Sequence, residues 1–252
     1  MTIKYDATGF YNLREAGGMR AQGGRVKTEK LLRSDFPTSL DGEDVEFFQE
    51  LPLLSVIDLR VAQEIAMAPT FFRNAGFYVY EDGIHVGSFM SMERGAPTVE
   101  AMYLDIVENS PQKLAAAVVE IARVTADGAV LVHCTAGKDR TGAVCALTQA
   151  VVGVSDADIV ANYVQTQANL SGEWLTHMTP KAEAMLAAVP GAQGITMAQV
   201  TPLMVGSPAS AIQGMLAQVR KESGTVDAFL LANGVTKDDL EALRANLIEP
   251  TS

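Results

Sequence analysis

A cysteine and an arginine stand six positions apart in the segment His133-Cys134-Thr135-Ala136-Gly137-Lys138-Asp139-Arg140-Thr141-Gly142, where an apolar run gives way to a helix-forming stretch. A tight turn at such a junction leaves successive backbone N–H groups unpaired, and with a helix N-terminus behind them they bind a tetrahedral oxyanion. Gly137 permits the backbone conformation that the turn needs, and Arg140 offers a planar fork that matches two phosphate oxygens. The segment therefore predicts an oxyanion-binding Cys-x5-Arg loop with a thiol at its centre.

The thiol predicts nucleophilic chemistry on a phosphate ester. Helix N-termini and nearby cations favour the ionised form of a thiol, so we expect Cys134 to be a thiolate at neutral pH. It can attack phosphorus in line while Arg140 and the loop amides stabilise the equatorial oxygens. The product is a phosphocysteine that water hydrolyses. The predicted substrate contacts are the remaining loop residues Thr135, Ala136, Gly137, Lys138 and Thr141.

Three side chains of the loop have more particular predicted roles. We expect the Thr141 hydroxyl to donate a hydrogen bond to the sulfur as it leaves phosphorus in the second step. His133 is expected to support the loop rather than to act as a base. Lys138 is expected to face the mouth of the site and to attract a second anionic group.

The leaving oxygen needs a proton, and two aspartates are candidates for the general acid. Asp139 lies inside the loop beside Arg140, and Asp82 follows a strand-like segment at 77–81. A purely structural role is open for both: Asp139 as an acceptor that shapes the loop, and Asp82 as a turn residue before Gly83. We favour Asp139 as the acid and keep Asp82 as the alternative.

Asp58 and Arg60 end another predicted strand, at the edge of the sheet where ligands bind in α/β folds. Arg60 could meet the substrate phosphate, or it could pair with Glu64 four residues on and hold the fold. We favour the structural interpretation for Arg60 and Glu64. For Asp58 the structural and functional interpretations are equally favoured.

Other chemistries use related loops. A nucleotide-binding P-loop requires Gly-x4-Gly-Lys-Ser/Thr, but Val132 stands at the first glycine position and Asp139 follows the lysine, which excludes that motif. Sulfur transfer and arsenate reduction also use a cysteine in an anion-binding loop, and both stay open. A non-catalytic phosphate-binding module is a third alternative, although a pure binder has no use for a nucleophile.

The elements around the loop predict an α/β fold with a central, mostly parallel sheet flanked by helices and an additional helical cap or tail. We expect a single domain over residues 1–252, in which the Ala- and Met-rich stretch 171–222 is a candidate helical lid. Apolar runs predict strands, and helical periodicity with capping residues predicts helices. The predicted strands are 55–60, 77–81 and 129–133, and the predicted helices are 41–51, 98–109, 111–125, 140–152, 155–169, 225–233 and 236–248.

Composition limits the classes of partner. The chain has 252 residues, a hydrophobic content of 48% and a net charge of −11, which describe a globular protein in water. Because an acidic protein is repelled by nucleic acid and by anionic membrane surfaces, we expect neither nucleic-acid binding nor stable membrane insertion. The partner that remains is a phosphorylated protein or a phosphoinositide, attracted locally. The sequence does not indicate an oligomeric state.

Cysteine and histidine usage bears on location and metals. Two cysteines suit a reducing compartment, and three scattered histidines show no metal-ligand spacing. We therefore expect a cytoplasmic protein with no metal and no cofactor. Residues 1–10 lack the apolar core of a secretory signal, so secretion without an N-terminal signal peptide is the alternative location.

The loop resembles that of the protein tyrosine phosphatase superfamily. Its Gly-Lys-Asp-Arg-Thr form resembles the bacterial and fungal tyrosine and phosphoinositide phosphatases related to the secreted mycobacterial and listerial enzymes. Further matching segments lie at 11–18, 32–35, 56–64, 152–163 and 229–247. The opening segment departs from the family pattern at Glu15 and Ala16.

This resemblance implies more than the loop alone. It implies one metal-free domain that hydrolyses phosphotyrosine, often with phosphoserine, phosphothreonine and phosphoinositides. It connects Lys138 and Asp139 with this broad specificity. It also implies that Asp139 serves as the general acid in some members.

Overall fold

The computed structural model describes residues 2–86, 97–188 and 194–250, and its largest sheet has five strands in the order β1-β4-β7-β5-β6. β4, β7, β5 and β6 run parallel, and only β1 is antiparallel to its neighbour. Strands β2, β3 and β8 form a second, antiparallel sheet. The strands are β1 Arg14–Glu15, β2 Arg20–Ala21, β3 Gly24–Val26, β4 Leu31–Ser34, β5 Leu53–Asp58, β6 Val79–Glu81, β7 Ala129–His133 and β8 Ile248–Pro250.

Helices surround the central sheet, which confirms the predicted fold class. The helices are α1 Gly42–Glu50, α2 Ala62–Met67, α3 Phe71–Asn74, α4 Val99–Asn109, α5 Pro111–Val124, α6 Asp139–Val151, α7 Asp156–Leu170, α8 Glu173–Ala188, α9 Met197–Val205, α10 Ala209–Ser223, α11 Val226–Ala232 and α12 Lys237–Leu247. None of the helices in the three described ranges is long and apolar enough to cross a membrane.

The central strand β7 is apolar on both faces because each face meets a separate core. Val130 and Val132 belong to the larger cluster, which is formed mainly by helices α4 to α7 and α10 to α12. Ala129 and Leu131 belong to the smaller cluster, with side chains such as Phe48. Since successive side chains of a strand point to opposite faces, this two-sided burial explains the continuous apolar run and places its last residues inside the protein.

The helix starts carry the capping residues that the sequence indicates. Asp41 accepts hydrogen bonds from the backbone N–H groups of Glu43 and Asp44, both at 3.0 Å, at the start of α1. Ser155 caps α7 in the same way, accepting from the backbone N–H of Asp158 at 3.2 Å. Such caps satisfy donors that have no partner within the helix.

The stretch 171–222 forms three helices that pack differently. Helix α10 lies in the core, where Ile212, Met215 and Leu216 are fully buried. In α8 only Trp174 is buried, and α8 and α9 cover one another and the end of α7. A lid in this protein would therefore consist of α8 and α9, and α10 belongs to the body of the fold.

Candidate active site

The Cys-x5-Arg loop joins the carboxyl end of β7 to the first turn of α6. Cys134 lies at the base of the loop with 3% of its surface exposed. Gly137 has a φ of +63°, and a Cβ at this position would lie 2.1 Å from the Ser34 carbonyl oxygen. Only glycine fits both the left-handed conformation and the close approach to β4.

Two side chains hold the loop carbonyls from behind. Asn12 Nδ2 donates to the carbonyl oxygens of Ala136 at 3.0 Å and Gly137 at 3.2 Å. Arg33 Nη2 donates to the Gly137 carbonyl at 2.9 Å. In a trans peptide the C=O and the following N–H point in opposite directions, so these bonds turn the N–H groups of Gly137 and Lys138 away from Asn12 and Arg33. This is the arrangement that an anion-binding nest requires.

Two buried arginines behind the loop are absent from the site residues predicted from the sequence. Arg33 and Arg14 face each other across β4 and β1, and both are about 1% exposed. Arg14 donates to the Asn12 carbonyl at 3.0 Å and to Thr166 Oγ1 at 2.8 Å. Burial and the neighbouring Arg33 lower the pKa of Arg14. Their signal in the sequence is the presence of arginine within apolar strand segments, since buried arginines are rare unless they are partnered.

Arg140 forms an ion pair with Glu64, the carboxylate that was expected to pair with Arg60. Its Nη1 lies 2.5 Å from Glu64 Oε2 and its Nη2 lies 2.9 Å from Glu64 Oε1. Thr135 Oγ1 donates to the same carboxylate at 2.6 Å and lies 3.4 Å from Arg140 Nη2. Burial would raise the pKa of Glu64, but the hydrogen bonds and charge of Arg140 outweigh it and lower that pKa to about 2. Glu64 is therefore an anion at neutral pH that holds the loop arginine.

The expected pairing of Arg60 with Glu64 was wrong, because Arg60 precedes the start of α2 and the four-residue helical spacing does not apply. Arg60 instead clamps Asp58, with Nε–Oδ1 at 2.9 Å and Nη2–Oδ2 at 2.7 Å. Its guanidinium also lies 3.7 Å from the centre of the Phe36 ring. Arg60 is 2% exposed and has these partners in place, so the structural interpretation fits its geometry better than contact with phosphate.

His133 lies under the loop beside Asp58. Its Nδ1 is 3.1 Å from the Cys134 carbonyl oxygen, and its Nε2 is 3.8 Å from Asp58 Oδ2. Burial lowers the pKa of His133, which favours the neutral ring. Burial raises the pKa of Asp58, but the hydrogen bonds and charge of Arg60 outweigh it and lower that pKa, so Asp58 is an anion. Both residues are placed to support the loop.

The two acid candidates differ in their surroundings. Asp139 begins α6, and its Oδ1 is buried, 3.5 Å from Lys138 Nζ and without a hydrogen-bond partner among the residues that the structure describes. Burial raises the pKa of Asp139 against the opposing charges of Lys138 and Arg140, so the protonated form persists to higher pH. Asp82 lies beyond the end of β6 and forms an ion pair with Lys113 of α5. The Asp82 carboxyl group is therefore already engaged by a cation, whereas the Lys138 ammonium lies farther from Asp139.

Lys138 does not face the mouth of the site, contrary to expectation. It is 1% exposed, and its Nζ donates to the Leu203 carbonyl oxygen of α9. The sequence could not reveal this contact because Leu203 is 65 residues away. The lysine thus connects the loop to α9. Thr141 is also fully buried, and its Oγ1 has no hydrogen-bond partner among the described residues.

An apolar wall stands beside the loop. Trp174 and Leu170 are buried in a small cluster against which the loop residue Ala136 packs. The further members of this wall are Tyr11, Leu175, Met178, Met204 and Val205. The loop therefore opens beside aromatic and aliphatic side chains from α7, α8 and α9.

Comparison with known proteins agrees with this geometry. The family model described as "Tyrosine phosphatase family" matches residues 5–249, and the chain belongs to that family of cysteine-based phosphatases. It is a phosphatase. A Cupriavidus necator protein, named provisionally a tyrosine-protein phosphatase, is 30% identical over 227 residues, which cover 87% of this chain and 80% of that protein. A tyrosine-protein phosphatase of Nostoc commune is 28% identical over 202 residues, covering 76% of this chain and 65% of its own length.

Two solved structures show lower similarity to this chain. TpbA of P. aeruginosa, in complex with pTyr, is 17% identical with a TM-score of 0.40 and covers 64% of this chain and 76% of its own. The Siw14 catalytic core, from S. cerevisiae, is 21% identical with a TM-score of 0.42 and covers 65% of this chain and 79% of its own.

Proposed function

We propose that this phosphatase hydrolyses phosphate monoesters without a metal ion, through a phosphocysteine on Cys134. The observation that carries the proposal is the position of Cys134 below a loop whose carbonyls are held from behind by Asn12 and Arg33. The peptide N–H groups then point away from Asn12 and Arg33, and we place the oxygens of a bound phosphate on that side of the loop.

The first step moves the phosphoryl group onto sulfur. The Cys134 thiolate attacks phosphorus, an S–P bond forms, and the bond from phosphorus to the leaving oxygen breaks. Asp139 gives its proton to that oxygen, so the alcohol or phenol leaves neutral. In the second step water attacks phosphorus and passes a proton to Asp139, and the sulfur leaves as a thiolate that accepts a hydrogen bond from Thr141.

Arg140 binds the equatorial oxygens in both steps. Glu64 holds its two terminal nitrogens at 2.5 and 2.9 Å, whereas the contact with Thr135 is a long 3.4 Å. We expect phosphate to replace the long contact and to leave the pair with Glu64 intact. The arginine is then oriented before the substrate arrives, which lowers the reorganisation that binding demands.

Aryl phosphates, and phosphotyrosine among them, are the substrate class that this site fits best. The wall around Trp174 offers an apolar surface beside Ala136 for an aromatic ring. Lys138, the residue connected with phosphoinositides by resemblance, is turned into the fold. Phosphoserine, phosphothreonine and phosphoinositides are expected to be poorer substrates. Replacement Trp174→Ala should raise KM for aryl phosphates and leave inhibition by inorganic phosphate unchanged.

Helices α8 and α9 are proposed to act as a lid as well as a wall. Most side chains of α8 are exposed, both helices pack on one another and on α7, and Lys138 connects α9 to the loop. If they open to admit substrate, activity should respond to detergent or lipid. Unchanged activity over a detergent series would favour simple packing.

The deciding assay is hydrolysis of para-nitrophenyl phosphate by the full chain in the presence of a metal chelator. Wild type should turn over and be inhibited by vanadate, and Cys134→Ser should lose activity by a factor of about 1,000 or more. The matched control is Cys145→Ala, which removes a buried packing thiol on α6 and should stay active. The proposal fails if wild type is inactive on esters, or if it acts instead on thiosulfate or arsenate.

A further inference from the structure

Tyr103 of α4 contacts the first turn of α6, which carries the proposed general acid. Its ring is fully buried, and its hydroxyl donates to the Lys138 carbonyl oxygen at 3.1 Å. The same carbonyl accepts the backbone N–H of Gly142 at 2.8 Å, the hydrogen bond that closes this turn. Asp139 is the residue that follows the shared carbonyl, so the hydroxyl is bonded to the peptide from which the acid projects.

Gly142 leaves the space that this hydroxyl occupies. A Cβ at position 142 would lie 2.6 Å from Tyr103 Oη, closer than such contacts allow. The tyrosine hydroxyl on α4 therefore requires glycine at position 142, at the end of the loop motif and some 40 residues later in the chain. The Tyr103 hydroxyl occupies the space that a side chain at position 142 would need.

A second tyrosine completes the surroundings. The rings of Tyr103 and Tyr163 lie edge to face with their centres 5.6 Å apart, and Tyr163 Oη is buried without a hydrogen-bond partner in the described part of the chain. Burial is the largest cause of a raised pKa in both tyrosines, and the nearby Asp139 raises both further. Two neutral hydroxyls thus lie near the carboxyl of Asp139.

The carboxyl of Asp139 has little else to fix its direction. The charged groups facing it are Lys138 and Arg140 from the loop, and the neutral titratable groups are the two tyrosines from α4 and α7. Lys138 Nζ is 3.5 Å away and is already engaged by α9. The direction of the acid is therefore set by the backbone of the first turn of α6.

We infer that Tyr103 is a positioning residue for Asp139, holding the turn so that the carboxyl points at the leaving oxygen. The inference rests on the proposed role of Asp139 as the general acid. A general acid works only within hydrogen-bond reach of the atom that it protonates. Without the tyrosine hydroxyl the turn loosens, the carboxyl spends less time in that geometry, and only the steps that need its proton become slower.

The test is Tyr103→Phe in the full chain, since phenylalanine keeps the ring and removes only the hydroxyl. We expect kcat to fall about tenfold on phenyl phosphate, whose leaving group needs a proton. On an activated aryl ester, dinitrophenyl phosphate, we expect a fall of less than about twofold. The basic limb of the pH–rate profile on phenyl phosphate should move to lower pH. A looser turn lets water reach the Asp139 carboxyl, which lowers the pKa that burial had raised.

Tyr5→Phe is the matched control. It removes a tyrosine hydroxyl that donates to Glu15 at 2.5 Å, on the amino-terminal side of the fold. It should lower stability without changing the ratio of rates on the two esters. An equal fall on both esters in Tyr103→Phe would mean a merely structural tyrosine and would overturn the inference.

Failure of the inference is separable from failure of the proposed function. If Cys134→Ser stays active, the phosphocysteine mechanism is wrong. If Asp139→Asn shows no dependence on the leaving group, the acid is wrong and the role of Tyr103 fails with it. If both variants behave as proposed and Tyr103→Phe resembles wild type on both esters, only the positioning role is wrong.

A double-mutant cycle gives an independent measurement. Gly142→Ala places a Cβ against Tyr103 Oη and should reproduce the leaving-group dependence of Tyr103→Phe. In the Tyr103→Phe background the same alanine meets no hydroxyl, so it should cost less than in wild type. Additive effects would contradict the contact between the hydroxyl and the first turn.

Discussion

Arg140 and Glu64 form a two-point ion pair, with Nη1–Oε2 at 2.5 Å and Nη2–Oε1 at 2.9 Å. The two residues lie 76 positions apart, one at the start of α6 and one in α2. A carboxylate that grips both terminal nitrogens limits the guanidinium to one plane. The loop therefore presents its arginine in a set direction without a ligand.

Glu64→Gln tests what this orientation contributes. The amide has one acceptor oxygen instead of two and no charge to attract the guanidinium, so Arg140 should become mobile. We expect KM for para-nitrophenyl phosphate and Ki for vanadate to rise together by about tenfold, a loss typical of a charged hydrogen bond. The exposed Glu241 of α12 offers a control, since Glu241→Gln should change neither constant.

The same carboxylate predicts a pH dependence of stability. Its folded-state pKa of about 2 lies below its usual value, so its contribution is fully present above the usual value and is lost as pH falls towards 2. Urea unfolding from pH 6 to pH 3 should show wild type losing more stability than Glu64→Gln. Parallel losses in the two proteins would contradict the ion pair.

Asn12→Ala removes both hydrogen bonds to the loop carbonyls, at 3.0 and 3.2 Å, and leaves the nucleophile untouched. The loop amides should then lose their common direction, so vanadate should bind at least about fivefold more weakly. Asn246→Ala is a control, because Asn246 Nδ2 also donates to a buried-helix carbonyl, that of Ala122 at 3.0 Å, but away from the loop. If Asn12→Ala binds vanadate as tightly as wild type and Asn246→Ala do, Asn12 does not orient the loop amides.

Much of the fold follows from local patterns in the sequence. The apolar run at 129–133 predicts β7 with the bounds it has, and the helix predicted at 111–125 matches α5 to within one residue. The strand predicted at 55–60 is two residues out of place, as Leu53–Asp58. The short antiparallel strands β1, β2, β3 and β8 carry no such signal, because two or three residues cannot display a periodicity.

The parts of the site that depend on residues close in sequence were predictable. The contacts between residues that only the fold brings together were not. The spacing from Cys134 to Arg140 and the need for Gly137 are local and could be inferred. The partners of Glu64 and Lys138 could not, since each comes from an element at least 65 residues away. Their charges indicate that they need partners, but charge alone does not identify which ones.

Lys138→Met addresses specificity, because the lysine is engaged with the Leu203 carbonyl instead of facing the mouth. Loss of that contact should loosen α9 and lower activity on all substrates alike. The ratio of rates on a phosphotyrosine peptide and on a short-chain phosphoinositide should change by less than about twofold. A selective loss of phosphoinositide hydrolysis would place the lysine at the substrate after all.

Asp139→Asn should separate catalysis from stability. The variant cannot donate a proton, so kcat on phenyl phosphate should fall by a factor of about 100 or more while dinitrophenyl phosphate changes little. Burial raises the pKa of Asp139, so the unfolded chain ionises first and wild type loses stability as pH rises from the usual value of the carboxyl to the raised one. The neutral amide has no such penalty, and the variant should be the more stable protein at pH 7. Asp82→Asn is the comparison. It breaks the ion pair with Lys113, so it should lower the stability of the protein, and kcat should not depend on the leaving group more than in wild type. The reverse pattern, a leaving-group effect only in Asp82→Asn, would transfer the role of acid to Asp82.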